Sequence, residues 1–185
     1  MSNTAATIVE PTDAVKSIAC NIELVIFDID GVFTDGGLYR SDDGQETKRF
    51  HATDGLGIRM LADAGMTLGV ITGRTSRVVE HRCKELQIEH VYQGQKDKLE
   101  AFETLAGKLD LQHSQIAYMG DDIIDLPVMK RAGLALTVPG ACAEIAHIAH
   151  WTSQRRGGNG AVREACELML KSKNLYQKAI ARYMV

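Results

Sequence analysis

Two aspartates two positions apart sit in the run LVIFDIDGVFTDG at residues 24–36, just after its apolar start. Asp28 and Asp30 have the same parity along a strand, so their side chains can start from one face, and Gly31 lets the backbone turn immediately afterwards. Carboxylates held so close repel unless a cation or a shared proton lies between them. That points to a hard divalent metal, most simply Mg²⁺. Asp before Gly also initiates ordinary turns, and the pair alone leaves both readings open. A second acidic cluster, GDDIID at residues 120–125, favours the metal. A helix N-terminus uses one or two aspartates through capping and the dipole; it has no need of Asp121, Asp122 and Asp125 together. If the strands leading into the two clusters are neighbours, their carboxylates converge on one cation.

Two further features could bind a phosphoryl group. In LGVITGR, Thr72 and Gly73 follow the apolar residues 68–71. A hydroxyl and free backbone N–H groups suit a phosphoryl oxygen, although a plain strand-to-helix turn uses the same residues. In QGQKDKLEAF, Lys98 stands at the start of an expected helix, where its charge opposes the dipole, and Lys96 is its rival for any such role.

Positioning these groups requires strands that end where they stand. Strand and helix patterns alternate, with strands expected at 23–27, 67–71, 90–92, 116–119 and 134–138. Apolar runs of this kind read as buried parallel strands. Alternation with helices gives a parallel sheet covered on both faces, the α/β class that places ligands at the carboxyl edge. Gly65 is expected to end a helix that begins near Thr53, and Pro127 fits the first turns of a helix after the acidic cluster. Between 32 and 51, GGLYRSDDGQETKRF reads as a β-hairpin around an Asp-Asp-Gly turn. The sequence therefore predicts one Rossmann-like three-layer α/β/α domain over residues 1–185, with a central parallel sheet and a hairpin insertion after the first strand.

With 185 residues, 45% of them apolar, the chain can bury a sizeable core. A net charge of -3 and the lack of a dense basic stripe argue against nucleic-acid binding. No apolar stretch approaches the roughly 20 residues of a membrane span, and the polar start MSNTAATIVEPTD lacks the regions of a secretory signal. A cytoplasmic location is the resulting expectation. Cys20, Cys83, Cys142 and Cys166 have no paired metal-ligand spacing and read as reduced structural thiols. His147 and His150 read as a solvated helix face.

In order, DIDGVFTDG, ITGR, a lysine near Asp97 and GDDIID resemble the four motifs of the haloacid dehalogenase superfamily. DGVFTDG, HATDGLGIRML, ITGR and GGNGAVREACELML are similar to the 3-deoxy-D-manno-octulosonate 8-phosphate phosphatases, over about residues 22–170. The resemblance implies a Mg²⁺-dependent phosphatase of lipopolysaccharide precursor synthesis that works through an aspartyl-phosphate. Asp28 would be the nucleophile, Asp30 the acid and then the base, and Thr72 and Lys98 would hold phosphoryl oxygens. Asp28, the Asp30 carbonyl and Asp121 would hold the metal. Asp122 would orient the metal's waters or Lys98, with Asp125 further out. A sugar acid phosphate also carries a carboxylate, for which arginine is the natural partner. Arg74 is the first candidate, then Arg59 and Arg82, together with Gly73 and with His51, Ala52, Thr53, Asp54 and Gly55.

The hairpin stands where many superfamily members insert a large cap. In the octulosonate phosphatases a homotetramer packs such hairpins together, so that a neighbouring subunit covers each site, and the same is expected here. Asn159 departs from an arginine found in some relatives, and the loop at 154–160 reads either as an anion-binding loop or as a linker to a terminal helix. The tail at 172–185 reads as mobile or as a cover for another subunit's site. Two alternatives remain open: a phosphatase for a nonulosonate 9-phosphate, and a catalytically silent oligomerisation module, against which Asp28, Asp30, Lys98 and Asp121 argue.

Overall fold

Six parallel strands form the central sheet of the computed structural model, which describes residues 10–184. They are β1 (Leu24–Phe27), β4 (Thr67–Ile71), β5 (His90–Tyr92), β6 (Ile116–Met119), β7 (Leu134–Thr137) and β8 (Trp151–Thr152), in the order β5-β4-β1-β6-β7-β8. Helices α1 (Asp13–Cys20), α2 (Ala52–Asp63), α3 (Arg77–Leu86) and α7 (Ala161–Ser172) cover one face. Helices α4 (Lys98–Lys108), α5 (Leu126–Met129) and α6 (Ala143–Ile148) cover the other. Strand alternation divides the core between these layers. Val25 and Phe27 of β1 enter the first, Leu24 and Ile26 the second, as side chains on successive residues must. The polar start at residues 1–9, on which the expectation about a secretory signal rests, lies outside the described residues. Among the described residues no helix is long and apolar enough to cross a membrane.

Four expectations change. The last predicted strand stops at Thr137, and a sixth strand, β8, pairs with it through Leu136↔Trp151 and Thr137↔Thr152; two residues are too few to show a period. The expected hairpin over 32–51 shrinks to β2 (Tyr39–Arg40) and β3 (Glu46–Thr47). The chain before it coils directly after β1, with the N–H groups of Val32, Phe33 and Thr34 all donating to the Ile29 carbonyl at 2.9–3.3 Å. The tail forms α8 (Tyr176–Ala181), which packs on its own chain against α2 and α7, and Arg182 pairs with Asp63 at 2.9 Å.

The fourth concerns the glycine-rich loop, which is packed against the turn after β1 rather than strung out as a linker. Its Gly158, Asn159 and Gly160 N–H groups are taken by the Val32 carbonyl, the Arg156 carbonyl and the Asp54 carboxylate. At Gly157 a Cβ would collide with the Gly31 carbonyl. The loop is a wedge packed against the turn that follows β1, and small residues are what allow that approach.

Candidate active site

From β1 the chain builds the sheet outward through β4 and β5, then returns to the opposite side of β1 for β6, β7 and β8. The order reverses between β1 and β6, and the crevice beyond their carboxyl ends is where such sheets bind ligands. The two acidic clusters flank it. Asp28 follows β1 and donates its N–H to the Met119 carbonyl at 2.9 Å, so Asp121, two residues past Met119, stands beside it. Gly31 makes the approach possible: at φ +88°, it leaves open the space in which a Cβ would strike the Asp121 carboxylate.

Lys98 opens α4, whose N-cap is Asp97. Its side chain is fully buried, with Nζ 2.9 Å from Asp28 Oδ1 and 2.6 Å from Asp125 Oδ1. The rival Lys96 is exposed. Lys98 is thus held by Asp125; Asp122, expected to orient either Lys98 or the metal's waters, does not reach Lys98, being exposed and capping the turn at Ile123 with a 2.8 Å hydrogen bond. Asp125 is saturated. Its Oδ1 accepts from Lys98 and from the Tyr118 hydroxyl at 2.7 Å, and its Oδ2 accepts from the N–H groups of Asp121 and Asp122 at 3.0 and 3.2 Å.

One oxygen from each of Asp28, Asp121 and Asp125 lies within 4.8 Å of the others. Because four donors already occupy Asp125, Asp28 and Asp121 are the members free to take a cation. Asp121 Oδ1 is buried with no hydrogen-bond partner among the described residues, and Asp28 Oδ1, also buried, faces only the Lys98 ammonium at 2.9 Å. Hard, unsatisfied carboxylate oxygens fit a hard divalent cation. The electrostatics agree. Burial, then the Asp125 charge, raise Asp28 from 3.8 to about 6, with Lys98 offsetting part of the rise. Burial, then the charges of Asp28 and Asp125, raise Asp121 to about 7. A cation between them would reverse that pressure.

Asp30 faces a different set of charges. Its Oδ1 contacts the ammonium of Lys48, and Arg74 Nε stands 3.6 Å from its Oδ2. Arg74 also donates to Glu46 Oε1 at 2.9 Å. Thr72, buried, follows β4 beside β1, and Gly73 comes next with the Ile124 side chain over it. Sequence reasoning missed Glu46, Lys48 and Tyr118. The signal for the first two was present: they share a parity on the hairpin, so both point the same way.

Several proposed substrate contacts lie elsewhere within the chain. Asp54 is buried with its carboxylate on the N–H groups of Gly160 and Arg163, at 3.3 and 2.8 Å, where it caps α7. Arg59 pairs with Asp63 at 3.7 Å and donates to Gln87. Those partners end α2 and α3, which lead into the starts of β4 and β5, so Arg59 serves the edge opposite Asp28. Arg82 pairs with Glu85 at 2.8 Å, lies over the Phe50 ring and crowds Gly55. His51, Ala52 and Thr53 form the N-terminus of α2, with His51 Nδ1 2.7 Å from the Thr53 hydroxyl. His150 Nδ1 accepts from the Ala135 N–H at 2.9 Å. Burial pushes the Cys83 thiol up to about 11 and raises that of Cys166 as well, so neither is a ready nucleophile.

A parallel sheet with a buried aspartate at the tip of the strand where its order reverses, a buried lysine and a metal-competent carboxylate define a class, and residues 90–164 match the haloacid dehalogenase-like hydrolase family. The chain is 43% identical over 182 residues to the 3-deoxy-D-manno-octulosonate 8-phosphate phosphatase of Yersinia pestis, covering 97% of each. Its fold matches the enzyme of that name from Moraxella catarrhalis, crystallised with magnesium, phosphate and the octulosonate, at a TM-score of 0.91 and 41% identity, over 93% of this chain and 99% of that one. A cobalt-bound phosphatase from Haemophilus influenzae matches at 0.82 and 35% identity, over 85% and 92%. The chain belongs to the 3-deoxy-D-manno-octulosonate 8-phosphate phosphatase family of haloacid dehalogenase-like hydrolases, and it is a phosphatase.

Proposed function

We propose that the protein hydrolyses 3-deoxy-D-manno-octulosonate 8-phosphate to the free sugar acid and phosphate, with Mg²⁺ as cofactor, in lipopolysaccharide precursor synthesis. The observation that carries the reading is the buried Asp28 carboxylate, set between the Lys98 ammonium and the metal-competent Asp121. A carboxylate can attack a phosphate dianion only where positive charge offsets their repulsion. Asp28 attacks phosphorus in line and the phosphorus–sugar oxygen bond breaks, while Asp30 gives that oxygen a proton. Asp30 then takes a proton from the water that attacks the aspartyl-phosphate, which releases phosphate and restores Asp28. Thr72 and Lys98 hold the equatorial oxygens. Mg²⁺, held by Asp28, the Asp30 carbonyl and Asp121, would neutralise charge gathering on the phosphoryl group.

Arg74, half-exposed at the rim, takes the sugar acid's carboxylate. A homotetramer closes the site in place of a cap, its contact surface including Leu38 and Tyr39 of the hairpin, which are 57% and 47% exposed here. The four cysteines are unpaired, which suits the reducing cytoplasm.

The test is phosphate release from octulosonate 8-phosphate, nonulosonate 9-phosphate and hexose phosphates, with Mg²⁺ or EDTA, for wild type and Asp28→Asn. Mg²⁺-dependent release greatest with the eight-carbon acid and lost in the variant is expected. Preference for the nine-carbon acid would overturn the substrate while leaving the chemistry; no release from any ester would overturn both.

A further inference from the structure

We propose that Lys48, carried by the hairpin, is a positioning residue that aims the Asp30 carboxylate; the proposal rests on the acid and base role given to Asp30 above. Lys48 lies one residue beyond β3, in a hairpin whose tip is exposed, yet its side chain is only 1% exposed. An ammonium removed from water this far requires a partner, and it has two, Asp30 in direct contact and Glu46 at 3.9 Å.

Four charges close a ring. Lys48 meets Asp30 Oδ1, Arg74 Nε faces Asp30 Oδ2 at 3.6 Å, Arg74 donates to Glu46 at 2.9 Å, and Glu46 returns to Lys48. The ring joins three segments that are separate in sequence: the tip of β1, the exit of β4 and the hairpin. Each Asp30 oxygen therefore has its own cation, and rotation of the carboxylate would lose both. The two cations differ in depth. Arg74, 37% exposed, can turn toward an arriving carboxylate; Lys48 cannot follow it and remains on Asp30. A group that must deliver a proton to one sugar oxygen needs such a fixed partner, because misplacement by about 1 Å can cost about a hundredfold in rate.

The experiment compares kcat/KM for octulosonate 8-phosphate and for p-nitrophenyl phosphate, with Mg²⁺, in wild type, Lys48→Met and Lys48→Arg. This ratio reports the steps through phosphoryl transfer to Asp28. The sugar alkoxide leaves only with a proton, whereas the nitrophenolate leaves without one, so a misaimed Asp30 penalises the first ester selectively. Lys48→Met is expected to lower kcat/KM about tenfold or more for the sugar ester and about threefold or less for the aryl ester. Lys48→Arg, which keeps the charge and tests a variant closer to the native packing, should recover part of the loss. Equal losses on both esters would make Lys48 a structural support only and overturn the proposal, as would no loss on either. Wild type cleaving neither ester would overturn the functional reading and this proposal with it. Wild type cleaving the aryl ester but not the octulosonate would overturn the substrate alone, and a hexose phosphate that it does cleave then replaces the sugar ester in the same comparison.

Discussion

Lys98 and Asp125, twenty-seven residues apart, meet at 2.6 Å in a fully buried ion pair. The pair ties the start of α4 to the turn after β6 and holds the ammonium against the Asp28 carboxylate. Asp125 also receives Tyr118 and two backbone N–H groups, so its removal leaves the buried Lys98 ammonium with Asp28 alone and takes the carboxylate acceptor from three further donors. Asp125→Ala is expected to cost about 3–5 kcal/mol, whereas Asp122→Ala, which loses one exposed cap, costs about 1 kcal/mol. Urea denaturation of the two variants checks this, and equal costs would contradict the assignment of Asp125 as the buttress.

Stability of the metal-free protein should depend on pH through Asp28 and Asp121. Both carboxyls are raised in the folded state, to about 6 and about 7, from an ordinary 3.8. Between those values the folded chain holds protons that the unfolded chain has released. Their contribution is therefore intact below about pH 4 and lost as pH rises through about 6 to 7. In EDTA, Asp121→Asn should gain melting temperature relative to wild type between about pH 5 and about pH 8. Stabilisation by Mg²⁺, which needs the ionised carboxylates, should grow over the same interval. Thermal melts at both pH values decide the matter, and a Mg²⁺ effect that does not vary with pH would count against these two ligands.

Asp30 is assigned proton transfer, which its side chain alone performs. Asp30→Asn should retain Mg²⁺, measured by calorimetry, yet lose about a hundredfold or more in turnover of the sugar ester. Undiminished turnover would remove Asp30 from the mechanism.

Gly31 combines a positive φ with the close approach of Asp121. Gly31→Ala is expected to cost on the order of 1–3 kcal/mol in strain and, because Asp121 must shift, to weaken Mg²⁺ activation. A variant with native Mg²⁺ dependence would show that the approach does not matter for the metal.

Sedimentation tests the shared site. The wild type should run as a tetramer, and Leu38→Glu should shift it toward smaller species with loss of activity. A wild-type monomer active at high dilution would refute the proposed assembly.

The parallel sheet and the chemistry at its tips were legible in the residues themselves. Apolar runs at Leu24–Phe27 and Ile116–Met119 mark strands because burial on both faces requires them. The aspartates after those runs declare a metal because clustered carboxylates are otherwise unstable together. These signals are local, and local pattern suffices for them. Which of several like residues does the work was decided by contacts between distant segments. Lys98 and Lys96 are alike on paper, but α4 turns one into the crevice and the other into water. Asp125 outranks Asp122 because the turn after β6 points it at Lys98 and Tyr118. Asp54 belongs to α7 and Arg59 to the far edge because the helices fix which way each side chain faces. Lys48 lies in a polar stretch, and only the folding of the hairpin across the tip of β1 takes its ammonium out of water. The sequence by itself set the acidic clusters and the sheet that carries them; only the tertiary structure, by burying some charges against one another and leaving others to solvent, chose which side chains face one another.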